Sequence, residues 1–307
     1  MLMKNLNKKK FLIGFFYCSH ILANHDFESE YFQKSFIRPT FDQAMEPVGH
    51  YLKDNMLHNP FWAMVKSLYT HNIFDNFKCY AKPLIPKVIH QIWLGSPFPE
   101  KYIAWRDTWL QLHPDWKYIL WTDKDIEKLN LVNKKMYMTS SNYGEKSDIA
   151  RVEILYRFGG LYIDTDFECL KSFDVLHHCC EFYAGLDEGP TAAFNGLIGS
   201  RKHHPLLKAY IENMKREAHE NDTTDEIEIR TGPHYFTKIL VQHLADNNTN
   251  VVLFPTTFFY PWPWFERFRN KPEQIQAWLR PESMAIHHWE VSWNNGKKSK
   301  KKKDLNV

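Results

Sequence analysis

The sequence predicts an α/β fold with a mostly parallel sheet and added helices. Three features of residues 84–293 carry that prediction. Short β-rich runs alternate with helical patterns. Proline and glycine bound those runs. A helix that stops at Gly159-Gly160 leads straight into a strand, a tight reversal that glycine permits. At 307 residues the chain is long enough for one large domain or two modest ones.

Taken in order, Lys87–Leu94 (KVIHQIWL) is β-rich between Pro86 and Gly95 and reads as a buried strand. Ile103–Leu112 has a helical pattern, and Trp116–Trp121 (WKYILW) is the next strand. Glu145–Phe158 reads as a helix and Leu161–Phe167 as the strand after it. His203-His204-Pro205 opens a further helix, because proline suits the first helical position. Upstream, residues 24–83 read as a mixed helical addition. Its apolar positions Tyr51, Leu52, Met56, Phe61, Trp62, Val65 and Leu68 recur near a 3.6 period, interrupted at Pro60. The sequence has no internal repeat.

The two ends differ from the body. Lys8–Lys10 precede a 13-residue, mostly apolar run, Phe11–Ala23. A bilayer span needs about 20 such residues, so residues 1–23 read as a signal peptide or a short membrane anchor. Ile21-Leu22-Ala23 is a poor cleavage site, which keeps the anchor open. Residues 294–307 form a Lys-rich tail, expected to be disordered. The formal net charge of +3 comes from these ends. Of 39 basic residues, ten lysines lie there, leaving 29 against 35 acidic residues once Asp304 is set aside from the 36. An acidic body of this kind has no nucleic-acid footprint. Five cysteines (Cys18, Cys79, Cys169, Cys179, Cys180) have no zinc spacing, and an odd, sparse set argues against a disulfide framework. Cys179-Cys180 is expected to pack rather than to do redox chemistry. The sequons at Asn221 and Asn247 are no more than chance provides.

The chemistry concentrates within twenty residues. Asp148 and Arg151 are i and i+3 on a helix and project from one face. Then come Phe158-Gly159-Gly160 and Leu161-Tyr162-Ile163-Asp164-Thr165-Asp166. Asp164 and Asp166 are i and i+2, so their carboxylates point the same way at a strand end. Two converging carboxylates repel unless a cation lies between them or one takes a proton. A hard divalent ion fits and leaves positions open for phosphate oxygens. A bare D-x-D is common on surfaces, and a helix Asp–Arg pair alone is a solvated ion pair of about 0.5 kcal/mol. The conjunction of helix, double glycine, aromatic and paired aspartates is what separates this block from both.

This block resembles the sugar-nucleotide-binding DXD region of glycosyltransferase family 32. That family includes fungal α-mannosyltransferases, inositolphosphoceramide mannosyltransferases and animal α-1,4-sugar transferases. Ile85–Trp93 resembles the family's opening strand and Leu120-Trp121-Thr122-Asp123 its second. Asn195–Ser200 with His204-Pro205 is similar to a later, acceptor-side segment, and Thr231-Gly232-Pro233 is a further match. The resemblance covers residues 84–293 in the family's order, and residues 24–83 would then be a stem or acceptor-side addition. It implies a GT-A fold, a GDP- or UDP-linked sugar donor, Mn2+ or Mg2+, and retention of anomeric configuration. A more distant likeness to the clostridial glucosylating toxins implies roles for single residues. Trp93 would stack on the base, Asp148 and Arg151 would hold the sugar and its phosphate, and Tyr162 would contact the nucleotide. Asp164 and Asp166 would engage ribose and metal, with Asn195 helping to orient the sugar. In this fold class a C-terminal histidine or carboxylate often completes the metal shell and a nearby tryptophan closes over the diphosphate. His287 or His288, and Trp293, are the candidates.

The expected activity is transfer of a hexose, mannose first, to a glycan, glycolipid or protein acceptor. Membrane contact would run through the N-terminal segment, in the Golgi lumen if the source is eukaryotic. The rivals are a secreted effector that glycosylates host protein and a nucleotide-sugar-binding protein without turnover. A metal-dependent phosphohydrolase is a third, but the chain lacks a second carboxylate cluster. Phe258–Phe265 (FFYPWPWF) is either a groove wall or a Pro-rich loop over the core.

Overall fold

The computed structural model describes residue 31 and residues 34–49, 59–187, 192–214, 223–244 and 250–290. The expected signal or anchor, both sequons, Trp293 and the Lys-rich tail lie outside the described residues. Among the described residues, no helix is long and apolar enough to cross a membrane.

The first seven strands are β1 (Val88–Ile92), β2 (Lys117–Trp121), β3 (Gly160–Ile163), β4 (Phe167–Cys169), β5 (Phe182–Leu186), β6 (Ala193–Ser200) and β7 (Val251–Phe254). The main sheet runs β2-β1-β3-β6-β5-β7. β1 pairs in parallel with β2 and β3, and β5 with β7, while β6 runs antiparallel to both of its neighbours. Five strands therefore point one way, which makes this the mostly parallel α/β sheet that the sequence predicts. A last strand, β8 (Ala285–His287), pairs antiparallel with β4 in a separate two-stranded ribbon.

The helix before β3, Tyr143–Phe158, starts where Asn142 Oδ1 accepts the Glu145 N–H at 3.1 Å. It stops at Gly159 and Gly160, whose φ values of +62° and +107° suit glycine alone. A Cβ on Gly160 would lie 2.5 Å from the Val88 carbonyl oxygen, so glycine is also what lets β3 close on β1.

The single strand expected over Leu161–Phe167 is in fact two short strands separated by a turn. The Asp164 N–H donates to Gly196 O at 2.8 Å and the Phe167 N–H to Asp164 O at 3.3 Å, which closes the chain over Asp164–Phe167. β4 then leaves the main sheet for the ribbon with β8. The aspartates thus sit on a turn rather than on a strand end.

The upstream helices join the same core. Pro60 begins a helix, Pro60–Thr70, rather than interrupting one, because Asn59 Oδ1 caps the Phe61 N–H at 2.9 Å. Tyr69 from that helix is fully buried, with its ring 6.0 Å from Phe254 and 6.2 Å from Phe258. Asn72 Nδ2 donates to Val251 O on β7 at 3.2 Å. Burying an aromatic side chain of this kind contributes roughly 1.5–3 kcal/mol.

The cysteines form no framework, but one pair bonds. Cys79 and Cys179 are joined across 100 residues and tie this upstream segment to the helix Asp174–Cys179. The expectation that Cys179 merely packs is corrected on that point, while Cys169 and Cys180 are buried free thiols. The Phe258–Phe265 segment divides: Phe258, Phe259, Tyr260 and Trp262 are buried, whereas Trp264 and Phe265 face outward.

Candidate active site

The carboxyl ends of β1, β3, β5 and β7 open on one side of the sheet, where ligands of open α/β folds bind. The start of antiparallel β6 lies there too, since Ile163 pairs with Leu197. A cleft of about 710 Å³ occupies this end and is lined by Trp93, Arg151, Asp164, Asp166, Gly196 and Trp289, among others.

At its floor is a buried network. Arg151 Nη2 lies 3.1 Å from Asp148 Oδ1 and 3.3 Å from Asp164 Oδ1, and Nη1 donates to Asn195 O at 2.7 Å. Asn195 Nδ2 donates to Asp148 Oδ1 at 2.9 Å, and Thr231 Oγ1 donates to Asp148 Oδ2 at 3.1 Å. The Tyr162 hydroxyl donates to Asp164 Oδ1 at 2.7 Å, and its ring lies 4.5 Å from the Arg151 guanidinium carbon. One cation thus serves two carboxylates. Burial pushes the Asp148 carboxyl up to about 7 against the opposing pull of Arg151. Burial opposes the Arg151 charge as well, but Asp164, Tyr162 and Asp148 together raise its affinity for its proton.

The second aspartate has different partners. Asp166 Oδ1 lies 3.1 Å from His287 Nε2, and Oδ2 accepts the Glu290 N–H at 2.8 Å. Burial works against ionising Asp166, yet His287 and that backbone donor hold its carboxyl below the usual range. Asp164 goes the other way: burial raises it, Arg151 offsets part of that, and Asp166 adds to the rise. The two aspartates are therefore differentiated by surroundings that the D-x-D pattern does not reveal.

The vicinal histidines face opposite sides, as alternation along an extended chain requires. His287 points at Asp166. His288 Nε2 lies 2.9 Å from Glu168 Oε2, and its ring stacks on Trp105 at 4.2 Å.

Oxygens of Asp164 and Asp166 and a nitrogen of His287 all lie within 4.8 Å of one another. Two carboxylates and a neutral imidazole are a donor set suited to Mn2+ or Mg2+. The Phe167 and Trp289 rings pack at 4.5 Å and 4.2 Å from the His287 ring, and its Nδ1 is buried without a hydrogen-bond partner. Nε2 is then the ring's one polar outlet, and it faces the carboxylates. The residues present fit a divalent ion.

Trp93 lies just past β1 at the cleft, half-buried, with Nε1 donating to Ser96 Oγ at 2.9 Å and its ring 5.1 Å from Tyr102. Sequence reasoning missed several residues. Thr231 was matched within its segment but given no role. Glu290 acts through its backbone N–H, which no side-chain pattern reveals. Trp289 is the tryptophan beside His287, where Trp293 was the expectation. Its φ of +56° is a left-handed conformation that a bulky residue rarely adopts, and it turns the Glu290 N–H onto Asp166.

Residues 99–182 match the family described as the glycosyltransferase sugar-binding region containing DXD motif. Residues 99–182 are thus similar to the DXD-containing sugar-binding region of glycosyltransferases. The chain is 33% identical over 158 residues to inositol phosphoceramide mannosyltransferase 3 of Schizosaccharomyces pombe, covering 50% of this chain and 43% of that protein. It is 36% identical over 137 residues to mannosyl phosphorylinositol ceramide synthase SUR1 of Saccharomyces cerevisiae, covering 43% and 35%. The chain therefore spans less than half the length of either relative. Among solved structures, the catalytic domain of alpha-toxin from Clostridium novyi superposes with a TM-score of 0.46 and 10% identity, over 76% of this chain and 82% of that one.

Proposed function

We propose that this chain is a metal-dependent, retaining hexosyltransferase that moves mannose from a nucleotide sugar, GDP-mannose first, to a glycolipid. The observation that carries the reading is the joining of two differentiated aspartates, one histidine and one buried arginine at the open end of the sheet. The names of the two yeast relatives support mannose and a ceramide-linked acceptor.

In this reading Asp164, Asp166 and His287 hold the divalent ion, which supplies charge neutralisation to the donor diphosphate. Arg151 lies beside Asp164 and offers the second positive group near the leaving phosphate. Asp148, held by Asn195 and Thr231, orients sugar hydroxyls. Trp93 faces the base. Besides the metal triad, the carboxylates of Asp148, Asp187, Glu228 and Glu290 line the cleft, and this reading gives none of them a covalent role. Transfer then proceeds on one face. The bond from the anomeric carbon to the phosphate oxygen breaks, the acceptor oxygen bonds to the same face, and the acceptor proton passes to the departing diphosphate.

The test is a donor screen on the full chain, recording Mn2+-dependent release of GDP or UDP with and without glycolipid. Release from one donor, lost in Asp166→Asn while the thermal transition persists, is the expected result. Metal-dependent binding without release under every condition overturns the transferase reading in favour of a binding protein.

A further inference from the structure

Beside the cleft the chain exposes an aromatic and cationic rim to which the proposed donor contacts assign no role. Trp264 and Phe265 sit on a short 3-10 turn, Trp264–Glu266, and are 37% exposed, while Phe268 is 81% exposed. Phe268 is the most exposed large apolar side chain among the described residues. The Arg267 guanidinium carbon lies 3.4 Å from the Trp264 ring centroid and 4.1 Å from that of Phe268, which holds both rings to one cation. Arg269 and Lys271 follow on the exposed side, and Arg280 lies on the adjoining surface pocket with Arg269 and Trp278. The acids nearby are Glu266, which pairs with Arg269 at 3.4 Å, Glu273, and Glu46, which lines the same pocket as Arg269 and Arg280. Over Trp264–Lys271 three cations face one acid.

Position gives this rim a use. Trp264 lines the cleft and packs edge-on at 5.6 Å against Trp289, whose ring is 4.2 Å from His287. One ring, Trp289, separates the exposed rim from the candidate metal ligand His287. Exposed tryptophan and phenylalanine interleaved with arginine and lysine match a membrane interface, where aromatic rings lie at headgroup depth and cations meet anionic lipid.

We infer that Trp264–Lys271 is a docking edge for an anionic bilayer surface, which turns the mouth of the cleft toward lipid headgroups. This contact is distinct from the apolar run at residues 11–23 and from the Lys-rich tail. It does not require turnover, so its failure and the failure of the transferase reading are separable.

The experiment is cosedimentation of the full chain with phosphatidylcholine vesicles, with and without phosphatidylserine. Three variants are compared with the parent: Phe268→Ser, Arg269→Ala with Lys271→Ala, and Asp166→Asn. All three side chains changed in the first two are solvent-exposed, so the thermal transition should hold and serves as the folding control. Binding should rise with phosphatidylserine. Removing the two cations should weaken that binding by roughly fivefold or more, Phe268→Ser should weaken it on both vesicle types, and Asp166→Asn should bind like the parent. Parental binding by both rim variants assigns lipid contact to the chain ends and overturns the proposal. Absence of binding by the parent also overturns it, as does self-association that Phe268→Ser abolishes without any vesicle binding.

Discussion

His287 Nε2 lies 3.1 Å from Asp166 Oδ1 although 121 residues separate them. The β4–β8 ribbon sets this distance by pairing Phe167 with His287, and the His288 N–H adds a 2.9 Å bond to Asp166 O. The ribbon delivers one histidine of a vicinal pair to the carboxylates and turns the other away.

That orientation separates the two histidines experimentally. His287→Ala should weaken Mn2+ binding, read by calorimetry, by at least roughly tenfold. His288→Gln should leave it unchanged, because that ring faces Glu168 and Trp105. Equal losses in the two variants would remove His287 from the metal shell.

Gly196 tests the other aspartate without touching it. A Cβ at this position would lie 2.7 Å from Asp164 Oδ2, so Gly196→Ala should push the carboxylate out of place. Displacements of this size cost on the order of a hundredfold in rate. The expected outcome is that loss in metal-dependent turnover with a retained thermal transition; parental turnover would mean that Asp164 is free to move at no cost to the reaction.

The buried histidines should cost stability on mild acidification. Burial lowers the His90 pKa to about 4 and His204 to about 3, and drives His177 well below its ordinary value. His90 Nδ1 accepts the Trp121 indole N–H at 3.1 Å and Nε2 faces Gly159 O at 2.9 Å, an arrangement that suits the neutral ring. The folded chain keeps these rings neutral while the unfolded chain protonates them near pH 6.5, so stability present above that pH is lost as pH falls toward 4. His90 alone accounts for roughly 3 kcal/mol of this once pH is below both values. Asp148, whose carboxyl is pushed up to about 7, works the other way across this window, so denaturant titrations between pH 7.5 and 5 compare the parent with His90→Gln; an equal pH dependence in the two contradicts it.

The Cys79–Cys179 bond should matter to the whole fold, since it closes a loop of 100 residues. Chain-entropy arguments give such a loop about 4.7 kcal/mol. Reduction, or Cys79→Ser, should lower the melting temperature and leave donor binding intact below the new transition. An unchanged melting temperature would show that the upstream helices hold to the core by packing alone.

The sequence by itself determined the elements and the chemistry-bearing block. The β-rich runs before Gly95 and at Trp116–Trp121, the helix ending at Gly159-Gly160, and the Asp148, Arg151, Asp164 and Asp166 constellation are local, within one element or one turn of each other. Period, capping and turn chemistry act over those distances and leave marks in the residue order. Everything that depends on distant chain segments was decided by the tertiary structure. Asn195 and Thr231 meet Asp148 from 47 and 83 residues away. Cys79 finds Cys179, and the Glu290 N–H reaches Asp166 through a left-handed tryptophan. Asp164 and Asp166 sit on a turn because β6 and β8 compete for the chain on either side of them. Those choices depend on strand register and on which side chain a packed neighbour admits, and neither is encoded in the spacing of nearby residues.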